Sequence, residues 1–112
     1  MHQGVSLSID YKFNIDMEMG VFTGFTGAVT SATFDHSEQY LLAGSMDKSA
    51  KLWSLKNNKL LVTFTGHIDY INCVQAFYSA DKALTGSSDR TFKEWDFNTL
   101  KLSRNVGSYL YN

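Results

Sequence analysis

The sequence predicts an all-β protein of two four-stranded antiparallel sheets, with an extra strand segment at the amino terminus. A stretch of 42 residues occurs twice, and each copy contains short β-rich runs between turns rich in Gly, Ser and Asp. No long run has the apolar spacing of an amphipathic helix. We therefore divide the chain into an amino-terminal segment (1–20), a first repeat (21–62), a second repeat (63–104) and a tail (105–112).

The amino-terminal segment alternates apolar and polar residues from residue 5 to residue 19. A period of two predicts an amphipathic strand, although 15 residues is long for a single strand. Two interpretations remain open. The segment is either an edge or hairpin strand that covers the flank of a neighbouring sheet, or a strand that offers its edge to a partner.

The two repeats align without a gap when Trp53 is placed on Trp95. Twelve of the 42 aligned pairs are identical; in the first repeat they are Phe22, Thr23, Gly24, Ser37, Leu42, Gly44, Ser45, Asp47, Lys51, Trp53, Lys59 and Leu60. In the second repeat we predict strands at 70–77, 82–86 and 91–96, a tight turn at 87–90, and a fourth strand through Leu100 and Leu102.

Gly66-His67 and Trp95-Asp96, separated by 27 residues, resemble the Gly-His…Trp-Asp frame of the WD-repeat family. Repeats of about 40–45 residues with four strands each are typical of its β-propeller blades. The resemblance implies a partial β-propeller of two WD-type blades. It also implies a buried hydrogen-bonded chain, whose matching residues here are His67, Thr85, Asp89 and Trp95.

The first repeat departs from this pattern. The corresponding residues are Phe25, Ala43, Asp47 and Trp53, so the histidine and the hydroxyl are both replaced, and Ser54 follows the tryptophan where aspartate is usual. Losing both polar groups together leaves no imidazole buried without a partner. We therefore expect apolar packing to stabilise this degenerate blade.

Residues outside the repeat motif carry a further resemblance. They are FDHSEQY (34–40), SLKN (54–57), FTGHIDYIN (64–72), ALTGSSDRT (83–91), KEWDF (93–97) and KLSR (101–104). Over about residues 27–105 the chain is similar to the carboxy-terminal propeller of the autophagy-related protein 16 family. That family helps specify where a ubiquitin-like modifier is attached to membrane lipid. The resemblance implies the propeller's share of that role, the recruitment of partners in autophagosome formation.

Two other functions fit a WD-type chain. One is a generic adaptor, such as a substrate receptor of a ubiquitin ligase or a subunit of another complex. The other is a truncated product without independent function. Propellers close with typically 4–8 blades, so two blades would leave apolar flanks exposed. We expect an incomplete propeller, with self-association through the flanks or an open pair of blades as alternatives.

The residues that carry most enzyme chemistry are not arranged for it. The histidines are His2, His36 and His67, and none has a neighbour at catalytic or metal-ligand spacing. A zinc site using His67 and the single cysteine, Cys73, would lack two ligands, and we predict that Cys73 is a small buried thiol. We therefore predict no enzyme activity, no catalytic residues, no metal and no cofactor.

Composition and charge argue against several further classes of function. The net charge of −1 and the absence of a basic stripe argue against nucleic-acid binding. No apolar run reaches the roughly 20 residues of a transmembrane helix. A single cysteine excludes an internal disulfide, and we expect a cytoplasmic protein whose partners are other proteins.

Partner binding is predicted on the surface formed by the loops before the first strand and between the second and third strands of each repeat. The candidate residues are Ile68, Asp69, Tyr70, Met46, Lys48, Ser88 and Arg90. Glu94 is a separate question because it replaces Leu52 beside the tryptophan. Its carboxylate needs either a partner, such as an arginine on an adjacent blade, or access to solvent.

Overall fold

The computed structural model describes the backbone of residues 5–13 and 16–108 and the side chains of residues 24–107. This part of the chain contains ten strands and no helix. The strands are β1 (Val5–Phe13), β2 (Asp16–Phe25), β3 (Val29–Phe34), β4 (Tyr40–Ser45), β5 (Ala50–Ser54), β6 (Lys59–Phe64), β7 (Ile71–Ala76), β8 (Lys82–Ser87), β9 (Thr91–Asp96) and β10 (Lys101–Ser108). In the described residues there is thus no helix with the length and hydrophobicity needed to cross a bilayer.

Two four-stranded antiparallel sheets form the body of the molecule, which confirms the predicted fold class. Strands β3-β4-β5-β6 form the first, which we call blade 1, and β7-β8-β9-β10 form the second, blade 2. The tight turn before the third strand is closed in blade 2 by the Arg90 amide, which donates to the Ser87 carbonyl at 3.0 Å, and in blade 1 by Lys48 and Ser45 at 3.2 Å. Arg90 and Lys48 both have positive φ, 72° and 78°, so the two repeats share the backbone geometry of this turn.

The amino-terminal segment folds back on itself instead of forming one strand. β1 and β2 pair antiparallel, from Phe13 opposite Asp16 to Val5 opposite Phe25, and residues 14–15 between them lie outside the described part. β2 continues to Phe25, so the predicted boundary at residue 20 falls within a strand. The hairpin interpretation therefore describes the backbone, while β-augmentation by a partner stays a prediction.

The two blades pack face to face through an apolar seam. We call the side of each blade that points toward the following blade its distal face, and the opposite side its proximal face. The seam joins Leu42, Ala50, Leu52 and Phe64 on the distal face of blade 1 to Ile71, Val74, Ala83, Trp95 and Phe97 of blade 2. All of these side chains are at most 5% exposed. The stacked rings of Phe64 and Trp95, with centroids 4.5 Å apart, cross the seam.

Gly44 makes this close approach possible. A Cβ atom at Gly44 would lie 2.4 Å from Cγ2 of Ile71, closer than two carbon atoms can approach. The missing side chain thus forms a socket on blade 1 that Ile71 of blade 2 fills. The seam also contains polar contacts, because the Thr30 hydroxyl donates to the Ile71 carbonyl and the Val74 amide donates to Ser31 Oγ at 3.2 Å.

The fourth strand of blade 2 is longer than predicted. β10 continues through Ser108, so residues 105–108 of the predicted tail belong to the sheet, and residues 109–112 lie outside the described part. The register between β9 and β10 shifts twice, between Leu102 and Arg104 and between Asn105 and Gly107. The first shift also occurs in blade 1, where Leu52 lies opposite Val62 and Trp53 opposite Leu60, so only the second shift is specific to blade 2.

Candidate interaction surface and its buried support

Blade 2 contains a continuous chain of hydrogen bonds between the four residues that the resemblance to the WD-repeat family implied. His67 Nδ1 lies 2.9 Å from the Asp89 carboxylate, and His67 Nε2 lies 2.7 Å from Thr85 Oγ1. Trp95 Nε1 donates to the same Thr85 oxygen at 2.8 Å. His67 is 6% exposed, Trp95 3% and Thr85 0%, so water cannot replace these partners.

One arrangement of protons satisfies the whole chain. Trp95 Nε1 can only donate, so Thr85 Oγ1 accepts there and its own hydrogen is available for His67 Nε2. The neutral imidazole then carries its proton on Nδ1 and donates to Asp89. This acid, imidazole and hydroxyl order is also that of a hydrolase triad. The Thr85 oxygen is inaccessible and already accepts from Trp95, so the arrangement supports structure and not nucleophilic attack.

Asp89 connects this buried chain to the surface loops. Its carboxylate also accepts from the Ile68 amide at 3.1 Å and from the Thr91 amide at 2.9 Å and hydroxyl at 2.5 Å. Burial raises the pKa of Asp89, but the hydrogen bonds from Thr91, His67 and Ile68 outweigh it and hold the pKa well below its ordinary value. An ionised Asp89 thus ties the loop before β7 to the turn before β9.

Two serines that the sequence reasoning missed, one in each blade, make the same pair of hydrogen bonds. Ser87 Oγ accepts from the Asp89 amide at 3.0 Å and donates to the Asp69 carbonyl at 3.2 Å. Ser45 Oγ does the same with the Asp47 amide and the Gly27 carbonyl, at 3.0 and 3.1 Å. The signal was present, because Gly-Ser-x-Asp occurs at the same place in both repeats.

Blade 1 replaces the middle of the chain with apolar contacts. The rings of Phe25 and Trp53 meet edge to face with centroids 5.6 Å apart, beside Ala43, which is fully buried. Leu41 and Leu55 complete this cluster on the proximal face of the blade. These contacts are the apolar packing that the loss of both polar groups led us to expect.

Asp47 keeps its turn function without the histidine. Its carboxylate accepts from the Thr26 amide at 3.0 Å and the Ser49 amide at 2.9 Å, and from the Ser49 hydroxyl. Burial again raises the pKa of Asp47, and these hydrogen bonds lower it further than burial raises it. Phe25 also makes a cation–π contact, because Lys51 Nζ lies 5.6 Å from the centroid of its ring. At the equivalent position blade 2 has the imidazole of His67.

The predicted partner-binding residues lie on loops that the structure links into one surface, which we call the loop face. Its large apolar members are Ile68, 79% exposed, Tyr70, 43%, and Met46, 38%. Lys48 and Arg90 are exposed, and Asp69 and Ser88 are half-buried. Within blade 2, the Ser88 amide donates to the Tyr70 carbonyl at 2.9 Å; within blade 1, the Met46 amide donates to the Ala28 carbonyl at 2.9 Å. The Thr30–Ile71 hydrogen bond joins the two blades at β3 and β7, the strands that follow these loops.

Of the two alternatives left open for Glu94, a partner or access to solvent, the structure shows partners, and they belong to its own blade and not to an adjacent one. The carboxylate is on a residue only 4% exposed and accepts from Ser103 Oγ at 2.7 Å and Arg104 Nε at 3.2 Å. Lys82 Nζ lies 3.5 Å away. The Ser103 hydrogen bond is the main cause of a lowered pKa for Glu94; burial opposes it, and Arg104 and Lys82 add to it. The sequence could not show this because the shifted register of β10 brings Arg104 opposite Glu94.

Two other expectations need correction. Cys73 is exposed and not a buried thiol, because it lies on the distal face of blade 2, which no described element covers. His36 does have possible metal-ligand neighbours: its ring, the Asp35 carboxylate and the Asp81 carboxylate have ligand atoms within 4.8 Å of one another. Asp81 belongs to the other blade, so sequence spacing could not reveal this. Asp35 already accepts hydrogen bonds from Ser37, Gln39 and Tyr40, which accounts for both of its oxygens.

Comparison with known proteins agrees with the repeat pattern. The family model described as WD domain, G-beta repeat matches residues 17–54 and 58–96. The chain belongs to the WD-repeat family. Each match begins at the strand before a blade and continues through three strands of that blade. In these two matches β2 and β6 are therefore equivalent strands: β2 precedes blade 1 in the same way as β6 precedes blade 2.

Individual WD-repeat proteins are similar over most of this chain. Coatomer subunit beta'-1 of Arabidopsis thaliana is 30% identical over 95 residues, which is 82% of this chain and 10% of that protein. Small ribosomal subunit protein RACK1y of Oryza sativa is 31% identical over 93 residues, 81% of this chain and 28% of that protein. Protein tipD of Dictyostelium discoideum is 31% identical over 83 residues, 74% of this chain and 13% of that protein. The chain thus spans less than a third of the length of each.

Solved structures show the same fold. The crystal structure of RRP9 WD40 repeats has a TM-score of 0.75 at 21% identity, covering 80% of this chain and 28% of that one. The structure of U3-55K has a TM-score of 0.72 at 22% identity, covering 76% and 26%. At these identities the likeness concerns the arrangement of the blades and not their partners.

Proposed function

We propose that this chain is a non-catalytic protein-interaction scaffold that binds partner proteins through the loop face. Exposed Ile68 and Tyr70 are the main support, because large apolar and aromatic side chains held on a rigid base are the usual anchors of protein interfaces. The Asp89 carboxylate provides that base, since it fixes the Ile68 amide and the turn that carries Arg90.

Membership of the WD-repeat family supports a binding role, and the relatives named above include subunits of larger assemblies. The more specific proposal is that partner recruitment serves autophagosome formation in the cytoplasm. It rests on the similarity of residues 27–105 to the autophagy-related protein 16 family. A generic WD adaptor would use the same surface with different partners.

Proximity labelling in cells that express the chain tests both levels of this proposal. The informative variant is Ile68→Asp combined with Tyr70→Ala, which removes the two anchors while leaving the backbone contacts of the loop. The matched control is Tyr78→Ala, because Tyr78 is 87% exposed in the turn between β7 and β8, at the other end of these strands.

A scaffold that works through the loop face should lose a defined set of labelled proteins in the double variant and keep it in the control. Identical labelling by both variants would contradict the binding surface. If the lost set contains proteins of autophagosome formation, the specific role is supported. If it contains none, that role is wrong and the generic adaptor remains.

A further inference from the structure

The loop before the first strand is held by the same three hydrogen bonds in both blades. Three consecutive loop residues each use one backbone group, and the tight turn before the third strand supplies the partners. The pairs are Ile68 with Asp89, Asp69 with Ser87 and Tyr70 with Ser88 in blade 2, at 3.1, 3.2 and 2.9 Å, and Thr26 with Asp47, Gly27 with Ser45 and Ala28 with Met46 in blade 1, at 3.0, 3.1 and 2.9 Å. The backbone of the two loops is therefore fixed in the same way.

The side chains on this shared backbone differ in size. Blade 2 has Ile68 and Tyr70, which are 79% and 43% exposed. At the same two positions blade 1 has Thr26 and Ala28, which are also exposed but short. The loop of blade 1 is therefore lower than the loop of blade 2 on the same surface.

Gly27 keeps the loop of blade 1 close to its tight turn. A Cβ atom at Gly27 would lie 2.8 Å from the Asp47 amide nitrogen and 3.1 Å from the Met46 carbonyl carbon, so a side chain would force the loop and the turn apart. We call residues 26–28 the platform. Its surface consists of backbone and two short side chains, which no described element covers.

Three large apolar side chains stand beside the platform. Met46, 38% exposed, is on the tight turn of blade 1, which is bonded to the platform, and Ile68 and Tyr70 are on the loop of blade 2. The two segments start from one contact between the blades, because Ile71 follows Tyr70 directly and fills the socket at Gly44. Met46 comes two residues after that socket. These three side chains therefore form an apolar ridge that borders the platform.

Charges of both signs are interspersed on this surface. The cations at the tips of the tight turns are Lys48 and Arg90. The carboxylates on the same loops and turns are Asp47, Asp69 and Asp89. Since neither sign predominates, the surface selects neither an acidic nor a basic partner, and recognition depends on shape and apolar contact.

We propose that the loop face binds a partner segment that places one bulky apolar side chain, such as Leu, Met or an aromatic residue, over the platform and against the ridge. This role rests on the proposed function of the loop face. Residues 26–28 determine specificity, because their short side chains leave the space that the partner's side chain fills. Burial of that side chain against the ridge provides the apolar contact that favours binding.

A random library of peptides of about twelve residues, displayed on phage and selected against the full chain, supplies the probes. The dissociation constants of selected peptides are then measured by fluorescence anisotropy. We expect these peptides to share one bulky apolar position, whose replacement by Ala weakens binding about ten-fold or more. Their affinity should change by less than about two-fold between about 50 mM and 300 mM salt, because charge does not select them.

Filling the platform tests its role directly. Thr26→Ile combined with Ala28→Tyr gives blade 1 the side chains that blade 2 has on the same backbone frame, so the fold should be retained. This variant should weaken peptide binding about ten-fold or more, although Ile68 and Tyr70 are unchanged. Ser79→Tyr is the matched control for an added ring, because Ser79 is exposed in the turn between β7 and β8, at the other end of the strands. Ala28→Tyr alone keeps the test open if the pair alters the circular dichroism spectrum.

A second double variant, Ile68→Asp with Tyr70→Ala, distinguishes failure of this role from failure of the loop face as a binding surface. Peptides that bind the filled platform as tightly as the wild type but lose binding in this second variant would overturn the role of the platform alone. Peptides that are indifferent to both double variants, or a library that yields no peptide dependent on Ile68 and Tyr70, would overturn both proposals. Equal loss of binding in Ser79→Tyr and in the filled platform would also contradict a specific role for residues 26–28.

Discussion

At the scale of single residues, the two blades solve the same packing problem with different chemistry. In blade 2 the Thr85 hydroxyl lies at the centre of the hydrogen-bonded chain, because it accepts from Trp95 and also hydrogen-bonds to His67. In blade 1 Ala43 takes its place and Phe25 contacts Trp53 directly. The effect of a substitution at one of these positions on stability therefore depends on the residues at the others.

Removing the imidazole should destabilise the protein by about 1–3 kcal/mol, because His67→Ala leaves buried groups of Thr85 and Asp89 without a partner. The free energy of unfolding, measured with urea, gives the value. Asn105→Ala is a suitable control, since Asn105 accepts an exposed hydrogen bond from Lys93 at 2.7 Å. An equal, small loss in both variants would contradict the buried chain.

Restoring the histidine in blade 1 should not help by itself. Phe25→His removes the contact with the Trp53 ring and places an imidazole beside Ala43, which has no hydroxyl. We expect destabilisation of about 1–3 kcal/mol, partly recovered when Ala43→Thr is added. A double-mutant cycle measures that coupling, and additive effects would argue against the proposed pairing.

Ionised Asp89 should make stability depend on acidity. Its folded pKa lies below the unfolded value of about 3.9, so its contribution is complete above about pH 5 and is lost as the pH falls through the folded pKa. Unfolding free energies between about pH 5 and pH 2 should thus fall less steeply in Asp89→Asn than in the wild type. Asp47, Glu94 and Asp96 also have lowered pKa values, so some slope should remain.

At the scale of strands and turns, the repeat predicted most of what the structure contains. The tight turns and the four strands of each blade follow from two copies of one pattern, whereas the residues that meet around Thr85 were implied by the resemblance to the WD-repeat family. The hairpin of β1 and β2 did not follow, since the alternation continues through residues 14–15 with no Gly or Pro to mark a turn. The register shifts of β10 were also invisible, because bulges depend on pairing with β9.

Trp95 links these elements across the seam, so its truncation should be severe. It stacks on Phe64 of blade 1 and donates to Thr85 within blade 2. We expect Trp95→Ala to cost about 3–5 kcal/mol in urea unfolding. Leu102→Ala, a change of an exposed apolar residue on β10, should cost much less, and similar losses would mean that the seam is not packed as described.

At the scale of the whole molecule, function depends on where different blades bring residues together. The loop face was predicted from the loops that propellers commonly use for partners, and its role in binding stays a prediction. The sequence could not predict the proximity of His36 and Asp81, or the exposure of Cys73, because these depend on which faces of the blades are covered. Which faces of the blades are covered thus depends on the seam.

Amide hydrogen exchange tests most directly whether the two blades act as one unit through that seam. Leu52→Ala, a fully buried change on blade 1, should raise exchange in β4 and β5 and equally in β8 and β9 of blade 2, because the seam stabilises both sheets. Faster exchange confined to blade 1, with blade 2 unchanged, would contradict a shared core and show that each blade is stable independently.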